Sequence, residues 1–370
     1  MSFSLDVRYR MPLLLAGFVS LAIGIGGGLL RLGWNFPLPS AGLAGLHGPL
    51  LVCGFLGTLI SLERAVAIEQ RWAYAAPLCA GLGGLWLVAG GPWTVGAGLF
   101  VLASAVLVVA SLQVWRRLRA LFTLTMLLGA LGWLLGNLLW LGGMDIPRVA
   151  PWWVVFLVLT IAGERLELSR FLPRQPGSHA TFGAIVAALL LGAALATLAP
   201  AAGVLLLSLS LFLLACWLLR HDIARRTFRQ PGLTGYMGVC LLSGYVWLLV
   251  AALVGAYSPQ LLPGASYDAF LHAILVGFVL SMIFAHAPVI FPAVTRIRIP
   301  YHAVFYLPLI VLHASLVARL AGDLLAIPHC RTAGGALNAA ALLLFVLCAA
   351  GAVLNGKRQA ASPIKTLPNP

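Results

Sequence analysis

The sequence predicts an all-α polytopic membrane protein with about twelve transmembrane helices. Of its 370 residues, 62% are hydrophobic and only 9% are charged, and the mean hydropathy is +1.03. A soluble domain of this composition could not solvate its surface. Apolar runs long enough to cross a bilayer recur along the chain, and short segments that carry arginine separate them.

Twelve such runs can be placed. They cover residues 11–33, 41–62, 73–91, 94–114, 120–142, 150–169, 180–199, 202–219, 233–256, 269–291, 302–321 and 333–355. A membrane-spanning helix needs about 20 apolar residues, so each run predicts one helix. The seventh and eighth runs are separated only by the segment Ala-Pro-Ala-Ala.

Positively charged residues are distributed unequally between the two sides of this topology. If successive helices cross the membrane in opposite directions, nineteen lysines and arginines lie on the same side of the membrane as the termini. Four lie on the opposite side. Those four are Arg31, Arg148, Arg319 and Arg331. Because cytoplasmic loops are enriched in Lys and Arg, we expect both termini in the cytoplasm, in a bacterial-type inner membrane.

The chain also shows an internal repeat with a period of about 110 residues. The fourth run leads into WRRLR and the eighth into WLLRHDIARR, and a glycine-rich run follows each. The second and sixth runs both end in Glu-Arg. We therefore predict one membrane domain, 1–370, built from three four-helix units in a pseudo-threefold arrangement. The units are approximately 11–114, 120–219 and 233–355. The alternative is that apolar helices resemble one another by composition alone.

Composition excludes several classes of protein. The net charge of +14 does not indicate nucleic-acid binding, because the arginines lie in short loops between apolar runs. The six cysteines form no CxxC or CxxCH motif, so neither a thiolate metal site nor covalent haem c is indicated. We expect no cleavable signal peptide, since the first run is of spanning length and lacks a small-residue cleavage site.

Two histidines are the strongest indication of function, because ionisable groups are costly inside a membrane. His47 lies near the start of the second run and His272 near the start of the tenth. Both runs enter from the same side, so the imidazoles should reach similar depth. Binding of one metal atom by both rings would offset the cost of burying them. Alternatively, each ring only forms hydrogen bonds within the bundle.

This arrangement resembles the main subunit of the haem–copper oxidase superfamily. The resemblance implies that helices 2 and 10 supply the two axial histidines of a low-spin haem. A closer resemblance is to the NnrS family, membrane haem proteins linked to nitric oxide. The segments LHGPLLVCGF (46–55) and LHAILVGF (271–278) are similar to the histidine-led, glycine- and phenylalanine-containing segments of that family.

The sequence departs from the oxidase pattern at the copper site. Helix 6 carries no histidine, and helix 7 has only His179, outside its apolar run. Phe270 stands two residues before His272, so the second haem ligand on helix 10 is missing as well. We therefore expect haem b without the copper site. With only two protein ligands, iron in a porphyrin is preferred over zinc or free copper.

Several other residues are candidates for supporting roles. Arg31 and Arg319 end helices 1 and 11 on the histidine side, where they would bind haem propionates or simply reach the membrane interface. His286 lies fourteen residues after His272, about 21 Å along a helix. With Glu63 and Glu164 it would form an inner proton or quinol site. The alternative is that Glu63, Arg64, Glu164 and Arg165 pair with one another across the repeats.

The sequence thus supports a b-type haem protein of nitric oxide or respiratory redox metabolism. A secondary transporter is the alternative, since twelve helices and internal repeats are also usual there. An enzyme cannot be separated from a haem-binding scaffold or sensor at this stage. The expected partners are the lipid bilayer and nitric oxide, quinol or an electron-transfer protein, and no nucleic acid.

The charge asymmetry generates a test of topology. We predict that green fluorescent protein fused to the C-terminus fluoresces, while alkaline phosphatase fused there is inactive, because that end is cytoplasmic. As a control, phosphatase fused after Gly143, in a loop predicted on the other side, should be active. Phosphatase activity at the C-terminus and none at Gly143 would reverse the orientation.

Overall fold

A computed structural model describes residues 5–35, 37, 39–171, 176–260 and 263–361. Within these ranges the chain is helical and contains no β-strand. Eleven helices of the described part are long and apolar enough to span a membrane, in agreement with a polytopic membrane protein. Of the residues counted for the charge asymmetry, Arg174 and Lys365 lie outside the described ranges.

The helices occupy the places that the apolar runs predict. They are α1 Val7–Arg31, α2 His47–Ile68, α3 Ala75–Val88, α4 Trp93–Arg117, α5 Leu121–Leu141, α6 Ile146–Leu168, α7 Ser178–Leu198, α8 Pro200–His221, α9 Gly232–Tyr257, α10 Ala265–Thr295, α11 Ala303–Leu324 and α12 Pro328–Ala361. A short helix, Ala224–Thr227, links α8 to α9. Helix α3 has only 14 residues, shorter than its predicted span and outside the eleven.

Proline and glycine set the boundaries between neighbouring helices. Pro200 is the first residue of α8 and follows directly on Ala199, so the short predicted break between α7 and α8 is confirmed. Proline fits there because the first helical residue needs no amide hydrogen for the helix. Gly143, with a φ of +89°, ends the turn after α5. Such tight connections hold consecutive helices antiparallel.

Helices α6 and α10 lie at the centre of the bundle. In α6 the eleven consecutive residues from Val149 to Leu159 are all buried, so this helix meets protein on every side. Helix α10 packs against α1, α2, α6, α9 and α11. Its central position brings His272 into the interior rather than to lipid.

Two of these helices contain π-helical segments. They are Leu50–Leu56 in α2 and Ala273–Val279 in α10, each seven residues long. Both segments carry Gly-Phe as their fifth and sixth residues. A π-helical turn redirects the side chains around it and is frequent at functional sites. The segments lie just after the histidines on the same two helices.

An uncharged polar network joins helices α2, α4, α5 and α6 inside the membrane. The side-chain amide of Asn137 donates to the Phe100 carbonyl (3.0 Å) and to Ser104 Oγ (3.2 Å). Its carbonyl oxygen accepts hydrogen bonds from Trp153 Nε1 (3.0 Å) and Cys53 Sγ (3.3 Å). Asn137 is fully buried, and its four bonds use all of its donors and acceptors.

This network predicts a stability effect. Asn137→Leu should lower the free energy of unfolding by about 2 kcal/mol, because it leaves several buried partners unpaired. Unfolding in mixed micelles by titration with dodecyl sulfate measures this change. Leu138→Ala is the control, since Leu138 lies on the same helix and is 45% exposed. Equal stability of both variants would show that the network contributes little.

Candidate functional site

The two predicted histidines meet between α2 and α10. Their ring centroids are 6.3 Å apart, and the ring planes differ by 14°. Two imidazoles that bind one metal atom from opposite sides, with each nitrogen about 2 Å from it, place their centroids about 6 Å apart. The side chain of His272 is only 14% exposed. His47 and His272 therefore have the spacing of a pair of axial ligands.

Backbone carbonyls fix both rings in the same tautomer. His47 Nδ1 lies 2.6 Å from the carbonyl oxygen of Gly24, and His272 Nδ1 lies 2.7 Å from that of Asp268. A carbonyl oxygen only accepts, so each Nδ1 must carry a proton and donate. The Nε2 lone pair of each ring is then free to bind a metal. Metal-binding histidines commonly donate from the other nitrogen in this way.

Helix α1 approaches the site closely through glycine. A Cβ atom at Gly28 would lie 2.7 Å from Cε1 of His47, nearer than side-chain atoms normally approach. Gly24, one turn earlier, supplies the carbonyl that holds the same ring. The glycine-rich sequence of α1 thus leaves the room that the imidazole occupies.

A charged cluster surrounds the pair at this end of the bundle, which we call the histidine side. Asp268 accepts a hydrogen bond from Arg319 (2.8 Å) and lies 3.3 Å from Nδ1 of His272. Arg331 forms ion pairs with Asp323 (2.7 Å) and Asp268 (3.6 Å). Arg331 and Asp323 were missed as site residues by the sequence analysis, because an arginine and an aspartate at helix ends carry no distinguishing signal.

Arg31 and Arg319 lie where the sequence placed them. Both line one small cavity together with His47, His272 and Arg331. Binding of haem propionates by these two arginines stays a prediction. In the structure, Arg319 forms an ion pair with Asp268.

The two histidines and the volume of the cavity beside them favour different cofactors. Two imidazoles with free Nε2 atoms and centroids 6.3 Å apart suit the axial positions of haem iron. The cavity between them has a volume of about 20 Å³, whereas small-molecule pockets measure roughly 300–1,000 Å³. The cavity has room for a single metal ion, and a porphyrin needs more space around the rings than the cavity provides. Among the described residues, no group of three or more His, Cys, Asp or Glu side chains could hold a metal ion.

The opposite end of the bundle, which we call the arginine side, contains a second buried cluster. Arg165 donates to both carboxylate oxygens of Asp222, at 2.8 and 3.0 Å. Tyr245 donates to the same carboxylate (3.0 Å), and Arg165 also lies 3.3 Å from His286 Nε2. Arg165 and Asp222 are 3% and 0% exposed. An ion pair this buried is held by its additional hydrogen bonds.

This cluster corrects the predicted pairing of Glu63, Arg64, Glu164 and Arg165. Arg165 pairs with Asp222, and among the described residues neither Glu63 nor Glu164 has an ion-pair partner within 4.0 Å. For Arg165 this alternative was wrong, because its guanidinium binds Asp222, which the sequence places in the loop after the eighth run. His286 joins this cluster through Arg165. A proton or quinol site at His286, Glu63 and Glu164 stays a prediction.

His313 makes a polar helix contact. It accepts a hydrogen bond from Trp247 Nε1 at Nδ1 (2.9 Å), and its Nε2 lies 3.0 Å from Ser243 Oγ. Both ring nitrogens are therefore used between α9 and α11, away from the pair of His47 and His272.

Comparison with known proteins gave one family. The model of a family described as a domain of unknown function, DUF8744, matches residues 10–354. No curated protein matches the chain. The matched region includes both histidines and both charged clusters.

The close approach of α1 predicts the effect of a single methyl group. Gly28→Ala should destabilise the protein by about 1–3 kcal/mol, because the His47 ring cannot move aside without losing its bond to Gly24. Gly98→Ala on α4 is the control, since nothing lies within 4 Å of its added Cβ atom. Micelle unfolding of both variants is the measurement. If Gly28→Ala is as stable as the wild-type protein, the His47 ring can occupy a second position away from Gly28.

Proposed function

The chain belongs to the DUF8744 family, whose function is unknown, and from that premise we propose that it is a b-type haem-binding membrane protein. His47 and His272 are its axial ligands. The observation that carries this proposal is the pair of nearly parallel imidazoles, with centroids 6.3 Å apart and planes within 14°. A macrocycle would supply the four ligands that two imidazoles leave open on iron, which favours haem over four-coordinate zinc and over copper.

The protein's own groups have distinct tasks in this proposal. The carbonyls of Gly24 and Asp268 accept the Nδ1 protons and so leave the Nε2 atom of each ring to bind the iron. Arg31, Arg319 and Arg331 supply positive charge on the histidine side, where they would bind carboxylate groups of the cofactor. The Asp268 carboxylate holds Arg319 and Arg331 in place around the rings.

Haem with two histidine ligands supplies one-electron transfer, and with one ligand displaced it binds a small gas such as nitric oxide. Both activities fit a role in nitric oxide or respiratory redox metabolism, with quinol or an electron-transfer protein as redox partner.

The finer architecture is part of the same proposal. Three four-helix units, a fold like that of the NnrS and haem–copper oxidase families, and cytoplasmic termini in a bacterial-type inner membrane would place α2 and α10 face to face. The support is the shared Gly-Phe π-helical segment in these two helices and the charge asymmetry of the loops. Haem would then lie near the side opposite to the termini.

Spectroscopy of variants tests the proposal. Wild-type protein, purified after expression with ample haem and reduced with dithionite, should show the sharp absorption bands of a low-spin b-type haem. His47→Ala and His272→Ala should each lose these bands or become high-spin, because each removes one axial ligand. His179→Ala is the control, since its exposed ring lies at the start of α7 on the arginine side.

Three outcomes would contradict the proposal. Folded but colourless wild-type protein would favour the secondary transporter. Stoichiometric zinc or copper without haem, lost in both histidine variants, would assign the pair to a single metal ion, as the small cavity permits. Unchanged spectra in both histidine variants would place the haem elsewhere.

A further inference from the structure

A large cavity opens on the arginine side, far from the histidine pair. Its volume is about 1130 Å³. It lies among the ends of α6 and α8, the starts of α5 and α7, and the short helix Ala224–Thr227. Pockets for small molecules measure roughly 300–1,000 Å³, so this one has room for a substantial ligand.

The lining of this cavity is strongly basic. Five arginines of the described part of the chain border it, namely Arg119, Arg170, Arg220, Arg225 and Arg226. Among the described residues of the lining, Asp222 is the single acidic one, and its carboxylate is already bound by Arg165 and Tyr245. The positive charges of the lining are therefore not balanced from within it. An anion in the cavity would relieve their mutual repulsion.

Three of these guanidinium groups have no anionic partner in the described part of the chain. Among the residues that the structure describes, Arg119, Arg220 and Arg226 form no side-chain hydrogen bond or ion pair with protein; Arg119 only lies over the ring of Trp115. All three residues are exposed. Their donors are available to a ligand, in contrast to Arg225, which donates to the carbonyl of Arg220 (2.6 Å).

The first turn of α7 also borders the cavity. Gly177, Ser178 and His179 line it, at the start of a helix of 21 residues. The positive end of the helix dipole and the unpaired amide groups there favour a phosphate group. Backbone and side chains thus favour the same kind of ligand.

The remaining wall is apolar. Leu121, Phe122, Leu166 and Trp217 line it, and Leu166 and Trp217 are buried. Trp217 donates from Nε1 to the Ser178 carbonyl (3.1 Å), as is typical of tryptophan at a membrane interface. A basic mouth beside an apolar wall fits an amphipathic anion better than a free one.

We propose that this cavity binds a phosphate-bearing anion, namely the headgroup of an anionic phospholipid, with its glycerol and acyl chains against the apolar wall. Basic pockets between transmembrane helices are suited to such headgroups. This inference does not depend on haem, and its test uses no haem signal.

Binding of a short-chain lipid tests the proposal. Dioctanoyl phosphatidylglycerol is titrated into the full-length protein in detergent, and binding is measured by native mass spectrometry. We expect saturable binding, and much weaker binding of dioctanoyl phosphatidylcholine. The variant Arg119→Gln/Arg220→Gln/Arg226→Gln should bind phosphatidylglycerol about a hundredfold more weakly, at about fivefold per arginine. It should melt close to the wild-type temperature, because none of the three groups forms a hydrogen bond or an ion pair with the described residues and Arg119, which lies over the ring of Trp115, is exposed.

The control removes the same charge from the same end of the bundle. Arg116→Gln/Arg296→Gln/Arg298→Gln changes three exposed arginines outside the cavity and should leave phosphatidylglycerol affinity unchanged.

Competition by glycerol phosphate and by inorganic phosphate distinguishes a phospholipid ligand from a soluble phosphate. Failure of both to displace the lipid at equal concentration supports the phospholipid, and displacement by either assigns the site to a soluble phosphate. Wild-type affinity in the cavity variant, or an equal loss in the control, would overturn the proposal.

Discussion

The candidate site depends on two hydrogen bonds from imidazole Nδ1 atoms to backbone carbonyls. Within a membrane no water satisfies a buried ring, so each polar atom needs a partner in the protein. The carbonyls of Gly24 and Asp268 satisfy one nitrogen of each ring and fix its orientation. The other nitrogen of each ring has no hydrogen-bond partner among the described residues. A shared metal atom would satisfy both at once, and that is the physical basis of the proposed function.

The same constraint explains why charge is confined to the two ends of the bundle. On the histidine side, Asp268 and Asp323 bind Arg319 and Arg331. On the arginine side, Arg165 binds Asp222, and this pair lies between His286 and the large basic cavity. Between the two ends the polar groups are neutral, as in the network of Asn137. Neutral hydrogen-bonded groups cost far less in the membrane than charges do.

The sequence predicts much of this arrangement and misses what depends on packing. Run lengths and loop arginines predict the places of the helices, and the matched depth of His47 and His272 predicts their encounter. The length of α3 was overestimated, because hydropathy does not record where a helix ends. Asp222 was missed because only tertiary structure shows that a loop aspartate reaches Arg165. The π-helical segments and the gathering of five loop arginines around one cavity likewise have no signature in hydropathy.

The most direct test of the histidine pair is electron paramagnetic resonance of the oxidised protein after expression with ample haem. Ferric iron between two imidazoles with nearly parallel planes gives a rhombic low-spin signal. The 14° angle between His47 and His272 predicts this signal, with hyperfine coupling to nitrogen from two imidazoles. A high-spin ferric signal, a cupric signal or coupling to a single imidazole would contradict the account.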